Sequence, residues 1–121
     1  MKNGEVLTLY ETLEKISRNK ELKFNVRLGY IMARNKEKLR QEALIIYEQR
    51  RQILMEYGTF DKNGDIIVPK DSLADTNKKI NELLEIENKV EIDLLPIDAF
   101  EEQEMNMEDI EGLMPMLYVP I

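Results

Sequence analysis

The chain has 121 residues, of which 43% are hydrophobic and 34% are charged, and its formal net charge at pH 7 is −7. This length and composition predict one folded domain over residues 1–121 and exclude a chain that is disordered throughout. Neither cysteine nor histidine occurs, which excludes disulfides, thiolate metal sites and catalytic or metal-binding arrangements built on histidine. We therefore expect a non-enzymatic protein with no catalytic residues, no metal site and no cofactor.

The charges are segregated along the chain. Residues 15–40 carry nine basic side chains against two acidic ones, whereas residues 82–112 carry twelve acidic side chains against Lys89 alone. This pattern predicts one basic and one acidic patch, which can pair within a chain or across a dimer. A nucleic-acid duplex is not an expected partner, because the basic run is short and the acidic remainder of the protein would be repelled.

The first element is predicted to be a helix over residues 5–17. Leu9, Leu13 and Ile16 recur there at helical spacing, which indicates one apolar face. Residues 24–28 then alternate apolar and polar side chains, and this alternation predicts a short strand.

A long helix is predicted from Arg27 to Tyr57, with Gly58 as its C-terminal cap. Four apolar side chains fall seven residues apart on one stripe: Met32, Leu39, Ile46 and Ile53. The partner positions that a coiled coil would need to be apolar are polar: Asn35, Glu42 and Gln49. We therefore expect this stripe to pack within its own domain rather than against a second coiled-coil strand.

The stretch FDKNGDIIVP, residues 60–69, resembles the start of an EF-hand calcium loop because it offers side-chain oxygens at alternate positions. Counted from Asp61, such a loop needs glycine at the sixth position and glutamate at the twelfth. Those positions are Ile66 and Ser72. Asn63-Gly64 instead predicts a tight turn that joins two long helices, and no metal site.

After the turn, Ser72 and Asp75 predict a capped helix whose apolar face runs from Leu73 to Leu84, and out to Val90 at its furthest. We expect this helix to pair with the long one as an antiparallel hairpin. The stretch KVEIDLLPI then alternates until Pro96, which predicts a short strand. Its expected partner is the segment 24–28, or the same strand of a second subunit.

The end of the chain combines an acidic stretch, residues 98–111, with nine uncharged residues, 113–121. Apolar side chains within the acidic stretch favour local docking over imitation of nucleic-acid phosphates. The apolar end is expected to be buried either in its own fold or in a subunit interface. The candidate partner contacts in it are Leu113, Met114, Met116, Leu117 and Tyr118.

Together these patterns predict a mainly α protein of the α+β class. Its expected parts are an N-terminal helix, a long antiparallel helical hairpin joined by a tight turn, one or two short β-strands, a C-terminal short helix and an apolar tail. No apolar run approaches the thickness of a membrane, so we expect no membrane partner.

One face of the long helix forms a candidate site for a small anionic ligand. Four side chains are spaced by three, four and four residues and so share that face: Arg27, Tyr30, Arg34 and Lys38. Guanidinium and ammonium groups bind phosphate, and a tyrosine ring stacks on a base. The alternative role of this basic stripe is to form ion pairs with the acidic half of the chain.

Four blocks occur in order along nearly the whole chain: KNGE, YIMARNKEKL, NELLEIENKVEIDLLPI and IEGLMPML. In these blocks the sequence resembles a family of small uncharacterised proteins from tailed phages and prophages of Gram-positive bacteria. The resemblance implies a phage origin and action on the virion or the host, with the host cytoplasm as the expected location. It supplies no catalytic or binding residue.

Three functions are compatible with these observations. The favoured one is a phage accessory protein that binds protein, as a homo-oligomer, as an antagonist of a host factor, or as both. The second is an anti-defence protein that sequesters a nucleotide-like anionic signal on Arg27, Tyr30, Arg34 and Lys38. The third is a virion or assembly component.

Overall fold

The computed structural model describes residues 1–121 and confirms the mainly helical α+β class. The four helices are α1 (Asn3–Arg18), α2 (Val26–Tyr57), α3 (Leu73–Glu85) and α4 (Met107–Leu113). There are more strands than expected, and they form two small sheets. In the first, β1 (Thr59–Phe60) pairs antiparallel with β2 (Ile66–Ile67); in the second, β3 (Leu95–Pro96) pairs in parallel with β4 (Leu117–Tyr118).

The hydrophobic core lies where α1 packs on the first two-thirds of α2 and α4 packs on α1. Its members include Leu9, Leu13 and Ile16 from α1, Leu39 and Ile46 from α2, and Leu113 and Met116 from the end of the chain. The stripe predicted on the long helix accordingly faces this core, with Ile53 only half-buried. Beyond Ile46 no residue of α2 is buried, so the rest of α2 and the start of α3 form a two-helix arm.

A β-hairpin closes the tip of this arm and confirms the predicted turn. Gly64 has a positive φ of 83°, which glycine adopts at little steric cost. The Asp61 carboxylate accepts hydrogen bonds from the backbone N–H groups of Asn63 and Asp65, at 2.8 and 2.9 Å. The oxygen that suggested a calcium loop is thus used to fix the turn.

The strand predicted over residues 24–28 is wrong, because α2 already begins at Val26. The Oδ1 atom of Asn25 accepts the N–H of Leu28 at 2.8 Å, which makes Asn25 an N-cap residue and overrides the local alternation. The predicted cap at Ser72 is right in position, since Ser72 directly precedes α3, but wrong in its hydrogen bonding. Its side chain makes no capping hydrogen bond, and a single 3₁₀ turn, Lys70–Ser72, leads into α3 instead.

The strand predicted in KVEIDLLPI is displaced and has another partner. α3 ends at Glu85, so Val90 lies outside it, and residues 88–94 form no strand. The N-terminus holds the start of this segment: the Asn88 N–H donates to Met1 O at 2.7 Å. Pairing begins only at Leu95, opposite Leu117, because the C-terminal tail and not residues 24–28 lies beside it.

Asn35 fixes the second half of that segment. Its side chain is fully buried, and its Nδ2 donates to the carbonyl of Asp93 at 2.9 Å while its Oδ1 accepts the Asp93 N–H at 2.8 Å. Both backbone groups of one residue are thereby satisfied by a single side chain. Asn35, one of the polar partner positions beside the predicted stripe, therefore clamps the 88–94 segment onto α2.

Candidate functional site

A groove of about 390 Å³ lies where the start of α2, the β3 region and the tail meet. Its walls include Arg27, Leu28, Ile31, Leu95, Ala99 and Tyr118. We call it the tail groove. It brings one residue of the predicted basic stripe, Arg27, next to one residue of the predicted partner interface, Tyr118. These positions are 91 residues apart in sequence.

Local features of the sequence build this groove. The Asn25 cap starts α2 one turn before Leu28, which is buried and forms the floor, while Arg27 beside it stays exposed. The register of β3 and β4 sets Tyr118 opposite Pro96. Proline has no N–H to donate to a ladder, and pairing between these strands extends over only two residues.

The rim of the tail groove is apolar and exposed. Leu94 and Tyr118, which line the groove, expose large parts of their side chains to solvent, as do Ile97 and Val119 next to the groove residues in sequence. Sequence reasoning missed Leu94 and Leu95 as site residues, because strict alternation placed Leu94 on a buried strand face. The uninterrupted apolar run Leu94-Leu95-Pro96-Ile97 is the sequence signal that could have identified these residues, because a strand with one buried and one solvent-exposed face would alternate apolar and polar side chains.

The basic stripe is present on one face of α2, but its members differ in their surroundings. Arg34 Nε lies 3.8 Å from Asp93 Oδ2, an ion pair between two half-exposed side chains. No acidic oxygen lies within 4.0 Å of the Arg27 or Lys38 side-chain nitrogens, and only Arg27 of the four lines the tail groove. For Arg34, pairing with the acidic half of the chain is therefore the observed role.

The five predicted partner contacts separate into two groups. Leu113 and Met116 are buried in the core of their own chain, and Leu117 is half-buried in β4. Met114 and Tyr118 remain exposed. Leu113 and Met116 therefore anchor the tail, and this anchoring is what presents Tyr118 at the tail groove.

The acidic stretch is fastened to the rest of the chain at Phe100, Gln103 and Asp109; Gln103 Nε2 donates to Lys23 O at 2.6 Å. The buried ring of Phe100 meets Phe24 edge-on, with 6.1 Å between ring centroids, and Lys15 Nζ lies 2.9 Å from Asp109 Oδ1. The remaining carboxylates between residues 98 and 111 are exposed. The expected local docking by interspersed apolar side chains is thus seen at Phe100, whereas Met107 is exposed.

Two titratable groups between α1 and α2 depart from their ordinary behaviour. Hydrogen bonds from Arg18, at 2.7 Å, and then Lys36 lower the pKa of the Glu14 carboxyl below its ordinary value of 4.5. Partial burial, reinforced by a 2.6 Å hydrogen bond to Glu11, raises the pKa of Tyr47 from 10.0 to about 12. The contacts that cause these shifts, Glu14 with Lys36 and Tyr47 with Glu11, join the outer surfaces of α1 and α2.

No helix of the chain is both long enough and apolar enough to cross a membrane. No group of three or more aspartate or glutamate side chains is arranged to hold a metal ion.

No protein-family model matches the sequence, and neither a curated protein nor a solved structure matches it at a significant level.

Proposed function

We propose that this chain is a non-enzymatic accessory protein of a phage or prophage that acts by binding another protein in the host cytoplasm. The observation that carries the proposal is the tail groove, an apolar depression with an exposed apolar rim and an unpaired guanidinium at its edge. Exposed apolar surface around a groove is typical of sites that bind protein. The phage origin is supported by the resemblance of the four sequence blocks.

The composition of the groove also suits a protein ligand. Tyr118 offers a rigid aromatic ring with a polar tip, and Arg27 offers a cation that no carboxylate of the chain neutralises. Tyrosine and arginine are enriched among the residues that contribute most to protein interfaces. A host factor with an apolar side chain and a nearby carboxylate would complement this pair.

The test is affinity capture of the tagged chain from Gram-positive host cells, with quantitative mass spectrometry of the captured proteins. We expect Tyr118→Asp to remove a specific host protein from the captured set. Leu73→Asp is the matched control, because Leu73 is exposed to a similar extent (44% against 47% for Tyr118) and lies at the start of α3 rather than in the groove.

Circular dichroism and melting of both variants would show that each is folded. The proposal fails if no protein is enriched with the unaltered chain. It also fails if folded Tyr118→Asp captures the same proteins, in the same amounts, as Leu73→Asp.

A further inference from the structure

The outer face of α2, which points away from the core, carries a second stripe of side chains. Its members alternate in spacing by four and three residues: Val26, Tyr30, Ala33, Glu37, Arg40 and Leu44. This is the spacing of side chains along a helix–helix seam. Val26, Tyr30 and Leu44 are all well exposed. The seam therefore has large apolar side chains near both ends and a charged pair at its centre.

A cavity opens beside this seam. It has a volume of about 210 Å³, lies between the end of α1 and the start of α2, and its walls include Leu13, Ile16, Phe24, Gly29, Met32 and Ala33. A Cβ atom added at Gly29 would meet no other atom within 4 Å. Ala33 belongs to both the seam and the cavity, so a large side chain arriving at the seam can enter the cavity there.

The charges on α2 favour a second copy of the chain, in antiparallel orientation, as the occupant. Residues 26–40 hold five basic side chains and one acidic one, whereas residues 41–57 hold three acidic and two basic ones. Parallel pairing would set the basic halves against each other. In antiparallel pairing centred between Glu37 and Arg40, residues 26–36, with three basic side chains and no acidic one, face residues 41–51 of the other copy, with two acidic and two basic ones. This arrangement avoids the repulsion between the basic halves and places Glu37 of each copy opposite Arg40 of the other.

We propose that two copies of this protein pair antiparallel through the outer face of α2, with the two-fold axis midway between Glu37 and Arg40. In this register Leu44 of each copy faces Ala33 of the other and enters its cavity. Glu37 of each copy faces Arg40 of the other. Their helical spacing sets both residues on the seam, and within one chain they form an ion pair at 2.7 Å.

The seam lies on a different face of α2 from the tail groove, so this inference goes beyond the proposed function. The two can fail separately. A chain altered in the seam should still bind a partner through Tyr118, and a chain altered at Tyr118 should still pair.

Because the chain has no cysteine, single cysteines can report the arrangement directly. Ala33→Cys and Leu44→Cys, purified separately and then mixed under mild oxidation, should form a disulfide-linked dimer. Ala33→Cys alone should not, because its two copies would lie about 11 residues apart along the helices, roughly 16 Å. Cross-linking by Ala33→Cys alone and not by the mixture would show parallel pairing and would overturn the proposal.

Solution mass by light scattering gives the second test. Leu44→Glu should shift the chain from the mass of two copies to that of one. Ile67→Glu, on the arm, should leave the mass of two copies, and it is a matched control because the exposures are 53% for Leu44 and 54% for Ile67. A single-copy mass for the unaltered chain at several hundred micromolar would overturn the proposal.

A charge exchange tests the register. Glu37→Arg and Arg40→Glu should each give single copies when alone, because like charges then face each other. An equimolar mixture should recover the mass of two copies as a mixed dimer. If the mixture stays at the mass of one copy while both variants are folded by circular dichroism, the proposed register is wrong.

Discussion

The buried side chain of Asn35 should be one of the most sensitive positions for stability. We consider Asn35→Leu, because leucine has nearly the same branched shape but can neither donate nor accept a hydrogen bond. In the native chain the amide makes two hydrogen bonds to Asp93, of 2.9 and 2.8 Å. The substitution would leave the N–H and the carbonyl of Asp93 without those partners.

The magnitude follows from the groups that lose their partners. An unsatisfied, desolvated backbone group costs about 1–3 kcal/mol, so two of them cost roughly 2–6 kcal/mol. Burial of an apolar side chain in place of the amide returns about 1.5–3 kcal/mol. At the middle of both ranges, about 4 kcal/mol is lost and about 2 kcal/mol is returned, so we expect Asn35→Leu to lower the free energy of unfolding by about 2 kcal/mol.

The measurement is urea unfolding followed by circular dichroism, with Asn81→Leu as the matched control. Asn81 is exposed on α3, and its substitution should change the free energy of unfolding by less than about 0.5 kcal/mol. If Asn35→Leu is as stable as the unaltered chain, the clamp on the 88–94 segment contributes nothing to stability. The reasoning from hydrogen-bond geometry would then be refuted.

Four further predictions concern two glycine positions and two titratable side chains. Gly29→Ala should raise the free energy of unfolding by about 0.5–1 kcal/mol, because its Cβ meets open space in a helix. Gly112→Ala should lower the free energy of unfolding by about 1–3 kcal/mol, because its Cβ would collide with the Thr12 side chain. A urea midpoint equal to that of the unaltered chain would contradict the prediction for either variant. The Tyr47 pKa of about 12 lies above its ordinary value of 10.0, so the contribution of Tyr47 to stability is full below pH 10 and is lost as pH rises towards 12. In an ultraviolet titration, Tyr47→Phe should remove the tyrosinate step that occurs at the highest pH. If that step persists in the variant, it belongs to another tyrosine and the prediction is wrong. The pKa of Glu14 lies below 4.5, so the contribution of Glu14 to stability is present above pH 4.5 and is lost as pH falls through the lowered pKa. The difference in free energy of unfolding between Glu14→Gln and the unaltered chain, measured in urea, should therefore become smaller in acid. A difference that does not change with pH would contradict this prediction.

The helices could be predicted because their signals are local and repeated. In α1 and α2 the apolar side chains recur at helical spacing over three or more turns. Only a helix places all of them on one face that can be buried. The Asn63-Gly64 turn was equally local, since one residue with positive φ decides it. These elements therefore depend little on what packs around them.

The strands could not be placed in the same way. Each has two residues, too few for a period to show, and alternation in residues 88–94 was overruled by the hydrogen bonds of Asn35 and the N-terminus. At residues 24–28 the single side chain of Asn25 decided between a strand and a helix start. Short elements depend on such individual contacts.

The candidate site shows the same division. The sequence correctly set Arg27, Tyr30, Arg34 and Lys38 on one helical face, and it identified the apolar end of the chain. It could not show that Arg34 meets Asp93, or that Arg27 and Tyr118 line one groove.

By itself, then, the sequence of this protein determined the helical framework, the turn and the segregation of charge, because each is set by neighbours within a few residues. The tertiary structure alone decided which apolar residues of the tail are buried and which remain at the surface. It also decided which charges are paired and where the tail groove lies. These outcomes depend on contacts between residues tens of positions apart, and no local pattern encodes the distance between them.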